Sequence, residues 1–477
     1  MTTELSTAHL HPSRGLRAAA LVGLCDGHVH LAGEPAYEPA RMPWNVAVDQ
    51  RPAAVARPGT VEDVQAVVRA ATAAGLRIAP QSTGHNAGPL AAQDLSEAVL
   101  LRTDRMRSVS IDADRGIARV QGGAIWLDAT EPAADHGLAA LHGSSPDVGV
   151  VGYSLGGGVG WYARQLGLAT NSITAIELVT PDGEHVRANS SENVELFWAL
   201  RGGGGNFGVV TALEFRLYPI EHAYAGMLLW DRADADRVLR TWAEWAPDAP
   251  DSVTTAFRVL NLPPLPDIPE PLRGRSLAVI DGAVLGSDDE AERILAALRA
   301  LQPEMDTFAR VPARSLVRLH MDPEGPTPAV SDGSLVDALP EAAIGAFLEQ
   351  VGPGSTSSLL SSELRQLGGA VGRTPGDHGA LAKIDAAYCL FAVAIAATPE
   401  MAMQGDLDAH ALTAAMEPWS PGRSYLNFSE NPVDPRDAFD ELTWLQLKGI
   451  RSALDPEDRM MANHRIPRLF ENGRVTD

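Results

Sequence analysis

The chain has 477 residues, of which 45% are hydrophobic and 5% aromatic, and its formal net charge is −23. This length exceeds one ordinary hydrophobic core, so the composition predicts a globular protein of two or three domains. The strong negative charge argues against nucleic acid and against anionic membrane surfaces as partners.

The two cysteines, Cys25 and Cys389, lie far apart in the sequence. They form neither a disulfide framework nor a zinc motif, and a reducing, cytoplasmic location is expected. Residues 18–24 follow two arginines but lack the length and the cleavage site of a secretory signal. No apolar stretch reaches the length of a membrane span.

The first 120 residues predict alternating helices and strands. A helix is expected over residues 13–24, followed by turns rich in Gly and Pro. A second helix begins after Thr60, which has Asp63 three residues further on in a capping arrangement, and ends at Gly75. Short apolar runs predict strands at residues 76–79, 99–101 and 117–120.

The composition changes along the rest of the chain. Residues 143–220 hold dense glycine clusters and predict a helix and two strands at 194–200, 173–179 and 211–217. Residues 221–410 have fewer glycine clusters, and predict strands at 276–284 and 386–394 and helices at 288–301 and 340–351. The C-terminal part predicts a strand around 424–428 and a helix over 434–454.

A glycine-histidine loop follows the predicted strand at residues 76–79. Residues 78–86 read Ile-Ala-Pro-Gln-Ser-Thr-Gly-His-Asn, which places small polar residues before His85. Such a loop brings bare backbone N–H groups against a phosphate and holds an imidazole beside it. A Gly-His pair is common by chance, so its meaning depends on the glycine clusters downstream.

Two glycine clusters follow this loop. Residues 149–160 read Gly-Val-Val-Gly-Tyr-Ser-Leu-Gly-Gly-Gly-Val-Gly, and residues 201–208 read Arg-Gly-Gly-Gly-Gly-Asn-Phe-Gly. Such density lets the backbone approach a flat or charged ligand, and a tight packing corner is the alternative. The chain has no Gly-Lys pair for a Walker loop, and its glycine spacing does not fit the dinucleotide fingerprint.

The order of these motifs, followed by Tyr425-x-Asn427 and a late Asn463, resembles the FAD-linked oxidases of the berberine-bridge type in the vanillyl-alcohol-oxidase superfamily. The resemblance extends from about residue 51 to 467 and is weakest over 221–410. It implies an α+β, two-domain fold of the PCMH type. Residues 1–220 and 411–477 would form the FAD-binding domain, and residues 221–410 a substrate domain with an antiparallel sheet backed by helices.

The resemblance implies FAD as cofactor, with His85 bonded to the flavin 8α-methyl; a non-covalent His85 that lines the flavin is the alternative. Ser145 stands where many members carry a second attachment cysteine, so mono-covalent FAD is expected. The other residues implied to bind FAD are Gln81, Ser82, Thr83, Gly84, Asn86, Val148, Gly149, Gly152, Tyr153, Gly156, Gly157, Gly158, Gly160, Gly208, Val209, Val210 and Asn463.

The last motif departs from the family pattern. Asp458, Met460 and Arg465 stand where the pattern has Asn, Phe and Asn. Asn463 is kept, and the resemblance implies that it reaches the flavin. The contacts of Arg465 are left open by the sequence.

The reaction that the resemblance implies is hydride transfer to flavin N5 from a C–H next to an alcohol or amine, with reoxidation by O2 to H2O2. Tyr425 or Tyr153 would remove the substrate's proton with support from Asn427, and a packing role for Tyr425 and Asn427 is the alternative. The partners expected are a small-molecule substrate and O2, and a homodimer is left open. The rival functions are a flavin dehydrogenase with another acceptor and a non-catalytic flavin- or ligand-binding protein.

The substrate cannot be predicted from the sequence. Arg258, His320 and Tyr388 are polar candidates from the region of weakest resemblance. The pair His28-Val-His30 resembles a metallo-hydrolase motif, but no later run supplies further ligands at a recognisable spacing. No metal is therefore expected, and this pair is predicted to lie in a surface turn.

Overall fold

The structure is a computed structural model that describes residues 17–266, 268–471 and 474–476. About 36% of it is helical and 24% is strand, which confirms the α+β prediction. Three principal β-sheets organise the chain. In the described part of the chain, no helix is long and apolar enough to cross a bilayer.

The first sheet has four strands in the order β1-β2-β4-β3, of which β2, β4 and β3 are parallel. Helix α2 connects β2 to β3 and has the predicted capping box between Thr60 and Asp63. Its apolar face is fully buried, as the 3.6-residue period predicts. The elements are β1 Val29–Leu31, α1 Tyr37–Arg41, β2 Ala54–Ala56, α2 Val61–Ala73, β3 Arg77–Gln81, α3 Gly88–Ala91 and β4 Ala98–Arg102.

The second sheet is antiparallel, with five strands in the order β5-β6-β9-β7-β8. Phe197, Phe207 and Phe215 are buried in the core against it. The elements are β5 Val109–Asp112, β6 Ile117–Gln121, α4 Trp126–Ala134, α5 Val150–Leu155, α6 Ala163–Leu166, β7 Ile173–Val179, β8 His185–Asn189, α7 Val194–Gly203 and β9 Val209–Arg216.

The third sheet is antiparallel and has the order β13-β10-β12-β11-β16-β17-β15, with β14 paired to β10. Helices cover one of its faces over a core that includes Trp230, Trp242 and Phe347, so the predicted sheet backed by helices is confirmed. The elements are β10 His222–Asp231, α8 Ala235–Trp245, β11 Val253–Asn261, β12 Ser276–Val284, α9 Asp288–Arg299, β13 Met305–Asp306, β14 Ala309–Pro312, β15 Ala329–Val336, α10 Glu341–Val351, β16 Ser361–Gln366, β17 Tyr388–Ile395 and α11 Pro399–Met416.

The C-terminal segment returns to the first two sheets. Helix α12, Glu441–Leu454, contacts α7, and Met461 pairs through its backbone with Ile78 of β3. Strands β18 Phe470–Glu471 and β19 Arg474–Val475 form a small hairpin. Because α11 packs on β15 and β17, we propose that the domain of the third sheet extends past residue 410 to about residue 416.

Three sequence predictions need correction. The described part of the helix predicted over residues 13–24 contains a 3-10 turn at Ala19–Leu21, and its first residues lie outside the described range. Residues 424–428 form a 3-10 turn, Leu426–Phe428, in place of a strand. The long helix predicted over 434–454 is divided, because a 3-10 turn at Pro435–Ala438 precedes the N-cap Asp440 of α12.

The histidine pair near the N-terminus also differs from the prediction. His30 lies in strand β1, and His28 directly follows a 3-10 turn at Cys25–Gly27. The imidazole ring centroids are 6.5 Å apart. Pairing of β1 with β2 therefore replaces the predicted surface turn.

Candidate functional site

A cavity of about 1190 Å³ lies among the three sheets. This exceeds the roughly 300–1,000 Å³ of a typical small-molecule pocket, so it has room for more than one molecule. Its walls come from the loop after β3, both glycine clusters, the C-terminal segment and the face of the third sheet that the helices leave uncovered.

His85 is held on three sides at the wall of this cavity. Its ring stacks on Trp44, with centroids 4.1 Å apart and planes 17° from parallel. Its Nδ1 lies 2.8 Å from Thr83 Oγ1, and its Nε2 lies 3.4 Å from Asp147 Oδ1. The second contact joins opposite charges when the ring is protonated, without the alignment of a hydrogen bond.

Asp147 is the hydrogen-bond acceptor that joins the residues around His85. Its carboxylate accepts hydrogen bonds from Trp44 Nε1 at 2.7 Å, Gly325 N at 2.8 Å and Ser145 Oγ at 3.1 Å. Burial alone would raise the pKa of Asp147, but the contacts with His85, Gly325 and Trp44 lower it well below its usual value. Asp147 is therefore an anion that fixes the orientation of His85 and Trp44.

The loop before His85 is shaped by its neighbours. Gly84 has φ +83°, and a Cβ there would lie 2.6 Å from Pro43 Cβ, so this position requires glycine. Buried Arg102 donates to the carbonyl oxygen of Ser82 at 3.3 Å and supports the loop. The predicted cradle residues Gln81, Ser82, Thr83, Gly84, His85 and Asn86 all line the cavity.

The first glycine cluster lines the cavity in part. Ser145, Val148, Gly149, Gly152, Tyr153 and Gly156 are at its wall. Gly157, Gly158 and Gly160 lie behind this wall, and their contact with a ligand stays a prediction. Their lack of side chains serves packing: a Cβ on Gly158 would lie 2.5 Å from the Tyr153 ring, and one on Gly160 would lie 1.9 Å from the His142 carbonyl oxygen.

The second glycine cluster lines the cavity more extensively than predicted. The predicted residues Gly208, Val209 and Val210 are at its wall, together with Gly202–Gly205 and Asn206. Asn206 donates to the carbonyl oxygens of Gly203 and His464. Fully buried Arg451 on α12 donates to the Asn206 carbonyl oxygen and lies 2.9 Å from Asp458 Oδ1, so α12 holds this turn from behind.

The C-terminal corner resolves what the sequence left open about Arg465. Arg465 Nη2 lies 3.1 Å from Asp458 Oδ2, so two of the departures from the family pattern pair with each other away from the cavity wall. Asn463 lines the cavity and donates to the backbone oxygen of Asn86. Burial lowers the pKa of neighbouring His464 to about 4.

Tyr425 and Asn427 meet at the wall, although they do not lie on a strand. The Tyr425 hydroxyl oxygen accepts hydrogen bonds from Gly158 N at 3.0 Å and from Asn427 Nδ2 at 3.2 Å. Asn427 also donates to the Tyr153 carbonyl oxygen at 2.9 Å. Burial raises the pKa of Tyr425 above its usual range, and the two N–H donors oppose this effect.

Tyr153 lies beside this pair but is held differently. Its ring packs edge-on against Trp126, with centroids 5.3 Å apart. Burial raises the pKa of Tyr153 well above its usual value, and among the described residues its hydroxyl has no hydrogen-bond partner. Of the two tyrosines, Tyr425 therefore has the groups that would stabilise a phenolate.

The third sheet contributes a buried polar patch to the cavity, formed by Arg258, Asp281, His320, Asp322, Glu363 and Arg365. Arg258 Nη2 lies 2.5 Å from Asp281 Oδ2, and Arg365 Nε lies 2.6 Å from Glu363 Oε1. His320 lies between them, with Nδ1 2.7 Å from Asp322 Oδ1 and Nε2 3.3 Å from Glu363 Oε2.

The electrostatics of this patch are set by its internal pairs. Burial and Arg258 would lower the pKa of His320, but Asp322, Glu363 and Asp281 raise it to about 9. For Glu363 burial acts in the opposite direction and would raise the pKa, but the charges of Arg365 and His320 hold the pKa of this carboxyl below its usual range. At neutral pH His320 is thus a cation between two carboxylates.

Sequence reasoning identified part of this arrangement. Arg258 and His320 line the cavity, but Tyr388 packs against Trp242 in the core on the far side of the sheet. The patch residues Glu363 and Arg365 were missed, although their two-residue spacing on a strand places both side chains on one face. Trp44 and Asp147 were missed because contacts over a separation of 103 residues leave no local signal.

Comparison with known proteins identifies an FAD binding domain at residues 52–189. The chain is 40% identical over 188 residues to (R)-6-hydroxynicotine oxidase of Paenarthrobacter nicotinovorans, covering 39% of this chain and 41% of that protein. It is 32% identical over 255 residues to glucooligosaccharide oxidase of Sarocladium strictum, covering 51% of each. These alignments span about half or less of the relatives' length.

Solved structures match over nearly the whole chain. The wild-type BBE-like 1 protein of Physcomitrella patens has a TM-score of 0.81 at 20% identity and covers 96% of this chain and 100% of that one. The 6-hydroxy-D-nicotine oxidase of Arthrobacter nicotinovorans has a TM-score of 0.77 at 25% identity, covering 97% and 99%.

The cavity suits a large polar cofactor such as FAD. Side-chain atoms of Gln81, Ser82, Asn86 and Tyr153 are buried at its wall and have no hydrogen-bond partner among the described residues. Buried polar groups are normally satisfied, so these atoms indicate a ligand. A Cβ on Gly152 would meet nothing within 4 Å, so the backbone there is open to such a group. Residues 52–189 are thus an FAD binding domain, and the whole chain has the fold of the BBE-like protein and the oxidase with which it was compared.

Proposed function

We propose that this protein is an FAD-dependent oxidase that removes hydride from a C–H next to an alcohol or amine of a small molecule. The observation that carries the proposal is Tyr425, whose hydroxyl receives two N–H donors in the same cavity as the His85 loop. The relatives named as oxidases of 6-hydroxynicotine and of glucooligosaccharides support an oxidase.

The cofactor would be held by the segments that line the cavity beside the His85 loop and the second glycine cluster. The unpartnered atoms of Gln81 and Ser82 and the Oδ1 atom of Asn86 would contact its polar groups, and the backbone of Gly202–Gly205 would approach it closely. Asn463 closes this part of the wall through its bond to Asn86. When bound, FAD supplies the two-electron acceptor that no side chain provides.

We propose further that His85 attaches the cofactor covalently. A carboxylate 3.4 Å from Nε2 favours the tautomer that carries its proton there. The Nδ1 lone pair then accepts a hydrogen bond from Thr83 Oγ1, and this hydroxyl would turn away when Nδ1 forms the bond. Attachment at the flavin 8α-carbon would release one methyl hydrogen and the imidazole N–H proton, and dioxygen would accept the two electrons and two protons as H2O2. Ser145 donates to Asp147 and has no base of its own, which supports a single attachment.

Tyr425 is the proposed base for the substrate's O–H or N–H proton. A free tyrosine has a pKa near 10, and burial raises the pKa of Tyr425 further. Donation from Gly158 N and Asn427 Nδ2 opposes this, because N–H donors bind a phenolate more strongly than a phenol. A substrate hydroxyl or amine would lie between Tyr425 and the polar patch of the third sheet.

The oxidase proposal is tested with purified, FAD-loaded protein reduced by dithionite without air. On mixing with air-saturated buffer, we expect fast return of the oxidised flavin spectrum with one H2O2 for each flavin. Slow reoxidation without peroxide would identify a dehydrogenase with another acceptor. Protein that is colourless and does not take up added FAD would instead favour a protein that holds some other ligand.

A further inference from the structure

The cavity extends beyond the polar patch along the uncovered face of the third sheet. There, Met227 and Leu229 of β10, Leu277 and Val279 of β12, and Leu260 of β11 line it. The backbone register pairs Leu229 with Val279 and Leu260 with Leu277, so these side chains share one face in adjacent rows. We call them, with Val393 and Ile395 of β17, the aliphatic wall.

The loop between β11 and β12 lies over this wall. Leu262, Leu265, Ile268 and Leu272 line the cavity from the loop side. Leu272 and Leu262 pack with the buried residues of β10 and β12. A backbone bond from Leu262 N to the Arg275 carbonyl oxygen, at 2.9 Å, closes the base of the loop. Leu277 and Val279 are buried by these contacts, whereas half-buried Leu260, Val393 and Ile395 border the open space, which we call the outer cavity.

The wall is also long. From β10 to β17 the sheet runs through β12, β11 and β16, which is four strand spacings of about 4.8 Å, or roughly 19 Å in all. Leu277, Leu260, Ser361 and Val393 are paired in one row across the sheet, and Ser361 is the polar residue among these four. Asp231, the β10 partner of Leu277, ends the row away from the cavity wall. A sugar chain in this position would leave most of its hydroxyl groups without partners.

The polar patch does not require a charged substrate. Arg258 faces Asp281, Arg365 faces Glu363, and His320 faces Asp322, so each cation already has a carboxylate. Glu430, also at the cavity wall, accepts a hydrogen bond from Ser331 at 2.6 Å. These groups can orient a neutral hydroxyl or amine without an ionic partner.

We infer that the outer cavity is a binding site for an extended aliphatic body, and that the substrate is a largely apolar molecule with one polar reacting group. The inference rests on the proposed function in assigning the polar end to Tyr425. Burial of the aliphatic body against the wall and the loop supplies the affinity, and the polar patch sets the orientation.

The test uses FAD-loaded protein and calorimetric titration with butan-1-ol, hexan-1-ol and octan-1-ol, with cellobiose as the sugar probe. Burial of one methylene strengthens binding by up to about fourfold, so octan-1-ol, which has two more than hexan-1-ol, should bind roughly 10-fold more tightly. Affinity that does not depend on chain length, or cellobiose binding more tightly than octan-1-ol, would overturn the inference.

Paired variants locate the site. Met401, 43% exposed, lies at the rim of the cavity, whereas Met403, 64% exposed, lies two residues further along α11 and away from the cavity wall. Met401→Gln should weaken octan-1-ol binding at least threefold and Met403→Gln should leave it unchanged. Val393→Thr adds a hydroxyl to the half-buried part of the wall at nearly constant volume and should weaken binding about fivefold or more. If neither Met401→Gln nor Val393→Thr changes the affinity, the inference is wrong.

The flavin spectrum of the same samples separates this inference from the proposed function. With the flavin reduced by dithionite under nitrogen no alcohol is oxidised, so calorimetry reports binding alone. Alcohols that bind with the expected chain-length dependence to a protein without oxidase activity would support the apolar site and contradict only the proposed oxidase. Rapid reoxidation of the flavin with release of peroxide, in a protein that binds none of the alcohols, would support the oxidase and contradict the apolar site.

Discussion

Replacement of Asp147 by asparagine is expected to slow the attachment of FAD to His85 by about 30-fold. The carboxylate lies 3.4 Å from His85 Nε2. Bond formation at Nδ1 makes the ring cationic until the Nε2 proton leaves, and the carboxylate stabilises that charge. Asparagine keeps the shape of the side chain and removes the charge.

The magnitude follows from the geometry. Two unit charges at about this distance attract by ~4–5 kcal/mol at an effective dielectric of about 20. Asp147 is 19% exposed, and an amide oxygen retains part of the attraction, so we take the loss as about 2 kcal/mol. Since each ~1.4 kcal/mol is a factor of ten in rate, the expected slowing is about 30-fold.

The assay mixes apoprotein with FAD, stops samples with acid and measures the flavin fluorescence that stays with the denatured polypeptide. Ser145→Ala is the matched control, because Ser145 donates to Asp147 at 3.1 Å but carries no charge, and its rate should remain within about threefold of wild type. Attachment by Asp147→Asn at the wild-type rate would show that the charge of Asp147 does not assist the bond to His85. If this variant binds no FAD at all, Asp147 instead shapes the pocket, and the proposed role of its charge is wrong.

Three other outcomes are expected. Tyr425→Phe should lower the rate of flavin reduction by about 10²–10⁴-fold with any compound that bleaches the wild-type flavin, and an unchanged rate would remove Tyr425 as base. Arg451→Met leaves buried Asp455 without its cation, 3.4 Å away, and should lower the thermal unfolding midpoint by about 6 °C or more, which calorimetry can check. Burial lowers the pKa of His142 to about 4 from an unfolded value near 6.5, so this residue contributes stability above pH 6.5 that is lost as pH falls toward 4; His142→Gln should lessen that loss in thermal melts from pH 7 to 4.

The sequence predicted the fold where motifs are local and ordered. The capping box at Thr60 and Asp63 identified α2, and the strand before Gly84 identified β3, because both signals lie within a few residues. The order of the glycine clusters indicated the family. Strand order within the third sheet was beyond prediction, since β11 pairs with β16 across about 100 residues of chain.

The sequence predicted the loop residues that lie at the cavity wall, and it missed the residues that hold them in place. His85, Tyr425 and Asn427 carry recognisable spacing, even though the strand expected at residues 424–428 is a turn. Trp44 and Asp147 act on His85 only through tertiary contacts, and no periodic pattern marks them. The motif assigned Gly158 to ligand contact, and close packing is a second reason for a glycine there, because a Cβ would lie 2.5 Å from the Tyr153 ring.

The attachment of FAD to His85 is tested most directly by the mass of the peptide that contains His85, taken from acid-denatured protein expressed with FAD. We expect a peptide heavier by FAD less two hydrogens, with fragmentation that assigns the addition to His85 and no addition at Ser145. We also expect His85→Ala protein to release all of its flavin in acid. A wild-type peptide of unmodified mass, from protein that was yellow before the acid, would show that His85 does not attach the cofactor.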